Sequence, residues 1–166
     1  MLRVNRFALT LLIPIVLVFG LPYYLLWGEN AFLALRFKSL LFLFLFVVLG
    51  IVIHELLHGI VWALMARGGF RSIRFGIKWE YLTPYCHCKV PLRVWQYIAG
   101  GAAPLLFMGI MPAIWALFKG NTLMMFYGIF FTWTAAGDIM AIWLLSKYKP
   151  MHWITDHPSE LGFIIE

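Results

Sequence analysis

The sequence predicts an α-helical integral membrane protein, with four transmembrane helices and a small cytoplasmic β-hairpin between the second and third. Three observations lead there. Of 166 residues, 63% are hydrophobic and only 12% are charged, whereas an ordinary soluble domain is about 45–50% apolar and about 25% charged. Four stretches approach or exceed the roughly 20 apolar residues that a spanning helix needs. One strictly alternating stretch lies between the second and third of them. The same composition excludes a disordered chain and a disulfide scaffold, and the length suits one membrane domain, 1–166.

The first span, residues 7–27, carries no charge. Its apolar run is longer than the roughly 7–15 residues of a signal-peptide core, and no small-x-small cleavage site follows, so it reads as a retained helix. Pro14 and Pro22 should bend it. The second span, 39–66, holds Glu55 as its one formal charge, and the third, 97–118, is uncharged. The third span also contains Gly100, Gly101, Pro104 and Pro112, which invite breaks. The fourth span, 122–146, holds only Asp138.

Four spans place the N-terminus, the middle loop and the C-terminus on one side. Ten of the 13 basic residues fall there, among them Arg3, Arg6, Arg67, Arg71, Arg74 and Lys147, against Arg36, Lys38 and Lys119 on the other. The positive-inside rule then puts both termini in the cytoplasm. The basic excess serves topology and contact with membrane lipid. No separate basic domain exists to bind nucleic acid. Trp79, Trp95 and Trp153 flank the spans, as interfacial anchors do.

Four ionisable side chains lie inside the apolar spans: His54, Glu55, His58 and Asp138. A lone Asp near the membrane centre costs about 2.5–3.5 kcal/mol on insertion scales, so such residues face partners and signal function. Three of them form His54-Glu55-Leu56-Leu57-His58, an H-E-x-x-H pattern. Residues four apart share a helix face, so both imidazoles can meet one zinc ion. Glu55 falls beside that ion, placed to take a proton from water as the general base of a metallopeptidase. A catalytic zinc commonly takes three protein ligands. Asp138 is the natural third, because His54 and Asp138 lie at similar depths in parallel spans, roughly 22 and 24 Å from their outer ends.

On these residues the chain resembles the small zincin peptidases of bacterial membranes, a group similar to the site-2 zinc intramembrane proteases. The resemblance rests on His54-Glu55-Leu56-Leu57-His58-Gly59, a basic strand-rich loop, and Gly137-Asp138-Ile139 in a late span. It implies one zinc ion held by His54, His58 and Asp138, with Glu55 as catalytic acid/base. It also implies a transmembrane or membrane-proximal protein as substrate. The chain departs from the site-2 pattern in one respect. There the late Asp stands in a Leu-Asp-Gly context after an Asn-Pro element, whereas here it follows Ala135-Ala136-Gly137. A second reading uses the same residues without catalysis, as a metal-binding membrane protein: an inactive relative, or a module that grips transmembrane helices. A haem protein is disfavoured, because ligands four apart on one helix cannot reach opposite faces of a haem.

The hairpin is expected over about 71–90. Alternation runs over 72–81, Leu82-Thr83-Pro84 reads as the turn, and 85–90 returns until Pro91 stops it. The hairpin from Ser72 to Val90 is the candidate substrate-binding element, because a strand edge can hold an extended peptide. Cys86-His87-Cys88 lacks a fourth ligand at a recognised zinc spacing. In the tail, His152, Asp156, His157 and Glu160 are expected to make polar contacts or to cap a helix after Pro158.

Overall fold

The computed structural model describes residues 2–33, 37–79, 83–156 and 162–165. Arg36, the expected turn residues Glu80, Tyr81 and Leu82, and the tail residues His157, Pro158 and Glu160 lie outside the described residues. In chain order the elements begin with α1 (Leu2–Ile15), a π-helical turn (Val16–Gly20), α2 (Leu21–Leu33) and α3 (Phe37–Met65). A 3-10 turn (Gly69–Ser72) leads into β1 (Ile73–Lys78), β2 (Thr83–Cys88) and β3 (Leu92–Arg93). Next come α4 (Val94–Pro104), a second π-helical turn (Leu105–Ile110), α5 (Met111–Lys119), α6 (Thr122–Thr134) and α7 (Ala136–Leu145). Strands β4 (Trp153–Asp156) and β5 (Phe163–Ile165) close the chain.

Two prolines bracket each π-helical turn: Pro14 and Pro22 the first, Pro104 and Pro112 the second. Proline has no N–H to give to the i−4 carbonyl, and its ring crowds that carbonyl. The chain accommodates this with a wider turn, as π-bulges do; at the end of the first, the Leu21 N–H reaches the Val16 carbonyl. The bends expected from the prolines therefore take the form of widened turns.

Among the described residues three helical stretches are long and apolar enough to cross a membrane: Val4–Phe32, Phe37–Met65 and Val94–Lys119. The fourth expected span is a bent pair, α6 and α7, interrupted at Ala135. Hydroxyls explain the interruption. Thr132 Oγ1 donates to the Gly128 carbonyl at 2.8 Å, and Thr134 Oγ1 donates to the Phe131 carbonyl at 3.3 Å, which also accepts from the Ala135 N–H. Such back-bonding competes with the amide ladder and bends helices.

The chain divides into two compact units, one of Met1–Gly50 with Leu105–Gly137 and the other of Ile51–Pro104 with Asp138–Glu166. The first is purely helical and packs around Tyr23, Ala113, Ala116 and Met125. Its buried polar groups form a chain: Tyr23 Oη bonds Thr122 Oγ1 at 2.9 Å, and Thr122 Oγ1 donates to the Ala31 carbonyl at 2.8 Å. Asn121 caps α6 by accepting from the Met124 N–H at 3.0 Å.

The second unit carries all the strands. β1 and β2 pair antiparallel, with Ile73 opposite Cys88 and Lys78 opposite Thr83. The expected turn residues Thr83 and Pro84 thus belong to the second strand. Pro84 is tolerated because its missing N–H falls on the outer edge. Ile73 and Cys88 pack with Trp62, Ala63 and Leu92 in one core cluster, fastening the hairpin to the second half of α3. The tail differs more from expectation. Residues 163–165 form a strand and not a helix, in a three-stranded antiparallel sheet of order β3-β4-β5. Ile154 of β4 is fully buried against Val94 and Leu145. That burial gives so short a tail its stability, and single-sequence patterning does not reveal it.

Candidate metal centre

His54 and His58 lie one turn apart on α3, both buried, with ring centroids 4.9 Å apart. Asp138 comes from the first turn of α7. The sequence placed Asp138 deep in a continuous span; the break at Ala135 instead gives it a helix N-terminus, where the backbone dipole favours a carboxylate. Asp138 faces both imidazoles: Oδ2 is 3.3 Å from His54 Nε2, and Oδ1 is 3.4 Å from His58 Nε2. The donor atoms of all three residues lie within 4.8 Å of one another.

These distances can be tested against zinc. A tetrahedral ion with bonds of about 2.0–2.1 Å spaces its ligand atoms about 3.3–3.4 Å apart. Each imidazole stands at that spacing from one of the two Asp138 oxygens, and one donor atom from each of the three residues lies within 4.8 Å of the others, close enough to converge on one ion. Two imidazoles and one carboxylate are also a donor set that zinc accepts, leaving a fourth position for water or substrate.

The surroundings orient these ligands. His58 Nδ1 is 2.9 Å from the Gly100 carbonyl on α4. A carbonyl only accepts, so this bond puts the proton on Nδ1 and leaves Nε2 a lone pair toward Asp138 and a metal. The His58 ring also stacks on Trp62, 5.3 Å away and 18° from parallel. Trp62 in turn donates from Nε1 to the Tyr97 carbonyl at 3.2 Å. Two glycines make this packing possible. A Cβ on Gly100 would run into the Trp62 indole, and one on Gly59 would run into the Phe75 ring of β1. The Gly59 that ends the histidine motif is thus the seat of the hairpin.

The chain belongs to a known family. A family model described as "putative zincin peptidase" matches residues 47–153, well over half of the chain, and that range includes both histidines, Glu55, the hairpin and Asp138. No curated protein and no solved structure matches it. A zincin is expected to hold zinc, and the three residues that converge here are the ones the sequence singled out.

Glu55 stands beside this cluster, close to His58 and Asp138, with the backbone N–H of Cys86 on β2 bonded to its carboxylate. The neighbouring polar network was not legible in the sequence. Asp156 of β4 is buried, accepts from the Cys88 N–H at 2.9 Å through Oδ2, and lies 3.3 Å from His87 Nδ1. Its Oδ1 accepts from the Tyr97 hydroxyl on α4. Asp156 thus makes polar contacts of the kind expected in the tail, and the partners, which the sequence did not name, lie on the hairpin and α4. Burial raises the Asp156 carboxyl above its usual range, against the lowering effect of its hydrogen bonds to Tyr97 and Cys88. Burial likewise pushes both cysteine thiols up, Cys86 further through the nearby Glu55 and Asp156 carboxylates. Protonated thiols are poor metal ligands. Among the described residues the group His54, His58 and Asp138 has the geometry for a metal, and Cys86-His87-Cys88 does not.

Proposed function

We propose that this zincin is a membrane-embedded zinc metallopeptidase that hydrolyses peptide bonds of membrane or membrane-proximal proteins. The observation that carries the reading is the convergence of His54, His58 and Asp138 donor atoms within 4.8 Å of one another, with Glu55 alongside. Bound there, zinc would supply Lewis acidity toward a peptide carbonyl and make nearby water more acidic. Glu55 takes the proton from the attacking water as its oxygen bonds the carbonyl carbon. Glu55 then passes that proton to the departing amine nitrogen as the C–N bond breaks. Gly100 and Trp62 hold His58 in the tautomer and plane that the metal needs.

The membrane part of the reading is supported by solvent physics. Only 6% of the most apolar stretch of α3 is buried within the protein, and Phe42, Phe44, Leu45 and Leu49 on that helix stand exposed. A surface of this kind is stable in hydrocarbon and costly in water. With the bent pair counted as one crossing, there are four spans. The charge asymmetry then orients both termini to the cytoplasm of a bacterial cell, and the arrangement is similar to that of site-2 proteases. The hairpin is the substrate-receiving element in this reading, since β1 exposes Phe75 and Ile77, and the Phe75 ring packs on Gly59, next to His58.

Glu55→Gln should abolish hydrolysis of a peptide substrate while zinc stays bound. His54→Ala and His58→Ala should lose both. A chelator should silence the wild type, and added zinc should restore it. Undiminished proteolysis by pure Glu55→Gln protein would refute the mechanism, and a zinc-loaded wild type without peptidase activity would favour the non-catalytic alternative.

A further inference from the structure

The hairpin's outer edge does more than face the centre. In an antiparallel pair, alternate residues of a strand direct both N–H and C=O to the same side. Lys89 donates to the Ser72 carbonyl at 2.8 Å, so the odd-numbered residues of β2 bond toward β1. Pro84, Cys86 and Cys88 therefore point their backbones outward. Pro84 has no N–H to offer. The Cys88 N–H is held by buried Asp156 at 2.9 Å, and the Cys86 N–H is bonded to Glu55. Asp156 also binds Tyr97 on α4 and lies beside His87, so one carboxylate ties β4, β2 and α4 together.

We propose that Asp156 is a positioning residue: by clamping the outer edge of β2 through Cys88, it aims the Cys86 amide at Glu55 and fixes that carboxylate beside the candidate metal centre. The assignment of Glu55 as the proton carrier rests on the function proposed above; the clamp itself does not. Both outward amides are engaged in this arrangement, which also protects the edge from pairing with other chains.

The chain has two cysteines, and they are the two clamped residues. Full-length protein labelled with 15N-cysteine in detergent or nanodiscs thus gives two backbone amide signals, assigned by Cys88→Ala. Charge-assisted bonds should place both protons downfield and slow their exchange. Glu55→Gln should move the Cys86 signal and leave that of Cys88. Asp156→Asn keeps the shape but sets an amide group in place of one acceptor oxygen, and it should move both signals, Cys88 directly and Cys86 through the released edge. In a peptidase assay the same variant should lose roughly 10-fold or more in kcat, with KM and zinc content held. A Cys86 signal indifferent to Glu55→Gln, or one that stays put in Asp156→Asn, overturns the clamp. Moved signals with undiminished kcat overturn the positioning role. A wild type without proteolysis contradicts the peptidase reading instead, and the two amide signals still decide the clamp.

Discussion

At the scale of single residues, the centre depends on small groups as much as on its ligands. Gly100 supplies the carbonyl that fixes His58 and leaves the space that Trp62 fills. Gly100→Ala should push the indole off the imidazole and weaken zinc binding roughly 10-fold, within the 10–100-fold range typical of groups that orient a metal ligand. Competitive zinc titration checks this, and unchanged affinity would show that Trp62 yields without disturbing His58. The thiols give a second prediction. Because both are raised above the ordinary cysteine value, less thiolate forms at pH 8 than on a free cysteine of pKa about 8.5. Alkylation should therefore be slow at pH 8 and accelerate as pH rises, measured by mass spectrometry. The sequence revealed His54, Glu55, His58 and Asp138 because a charge in an apolar run is costly unless it has a partner. It concealed Gly100, Tyr97 and Asp156, whose roles come from what packs against them and not from their type.

At the scale of elements, the apolar pattern identified the long helices by their run length and the first hairpin strand by its strict alternation. Two things escaped it. The break at Ala135 arises from Thr132 and Thr134 hydroxyls turning back on the backbone, a choice that an apolar count does not register. The β3-β4-β5 sheet is built of two- to four-residue strands whose pairing is set by burial of Leu92 and Ile154. Ile154→Ala should accordingly destabilise the second unit by about 2–5 kcal/mol, the usual cost of an emptied aliphatic core site. Denaturant unfolding in detergent tests it. A cost below about 1 kcal/mol would mean that the tail sheet contributes little to the core.

At the scale of the whole molecule, an exposed apolar surface and a buried polar centre belong together. Helices with so much exposed apolar surface suit a hydrocarbon solvent, and His54, His58 and Asp138 turn toward one another away from it. The charge asymmetry predicts sidedness. In intact cells a Cys introduced at Lys119 should react with a membrane-impermeant maleimide from outside, and one at Lys147 should react only after permeabilisation. The same labelling pattern at both sites would refute the four-span topology.

Zinc at His54, His58 and Asp138 is the central claim to test. The most direct measurement is the zinc content of purified wild-type protein and of Asp138→Ala, determined by elemental mass spectrometry after equilibration with limiting zinc. About one zinc per wild-type chain and a near-complete loss in the variant are expected. Undiminished zinc in Asp138→Ala, or a wild type that holds none, would contradict that claim.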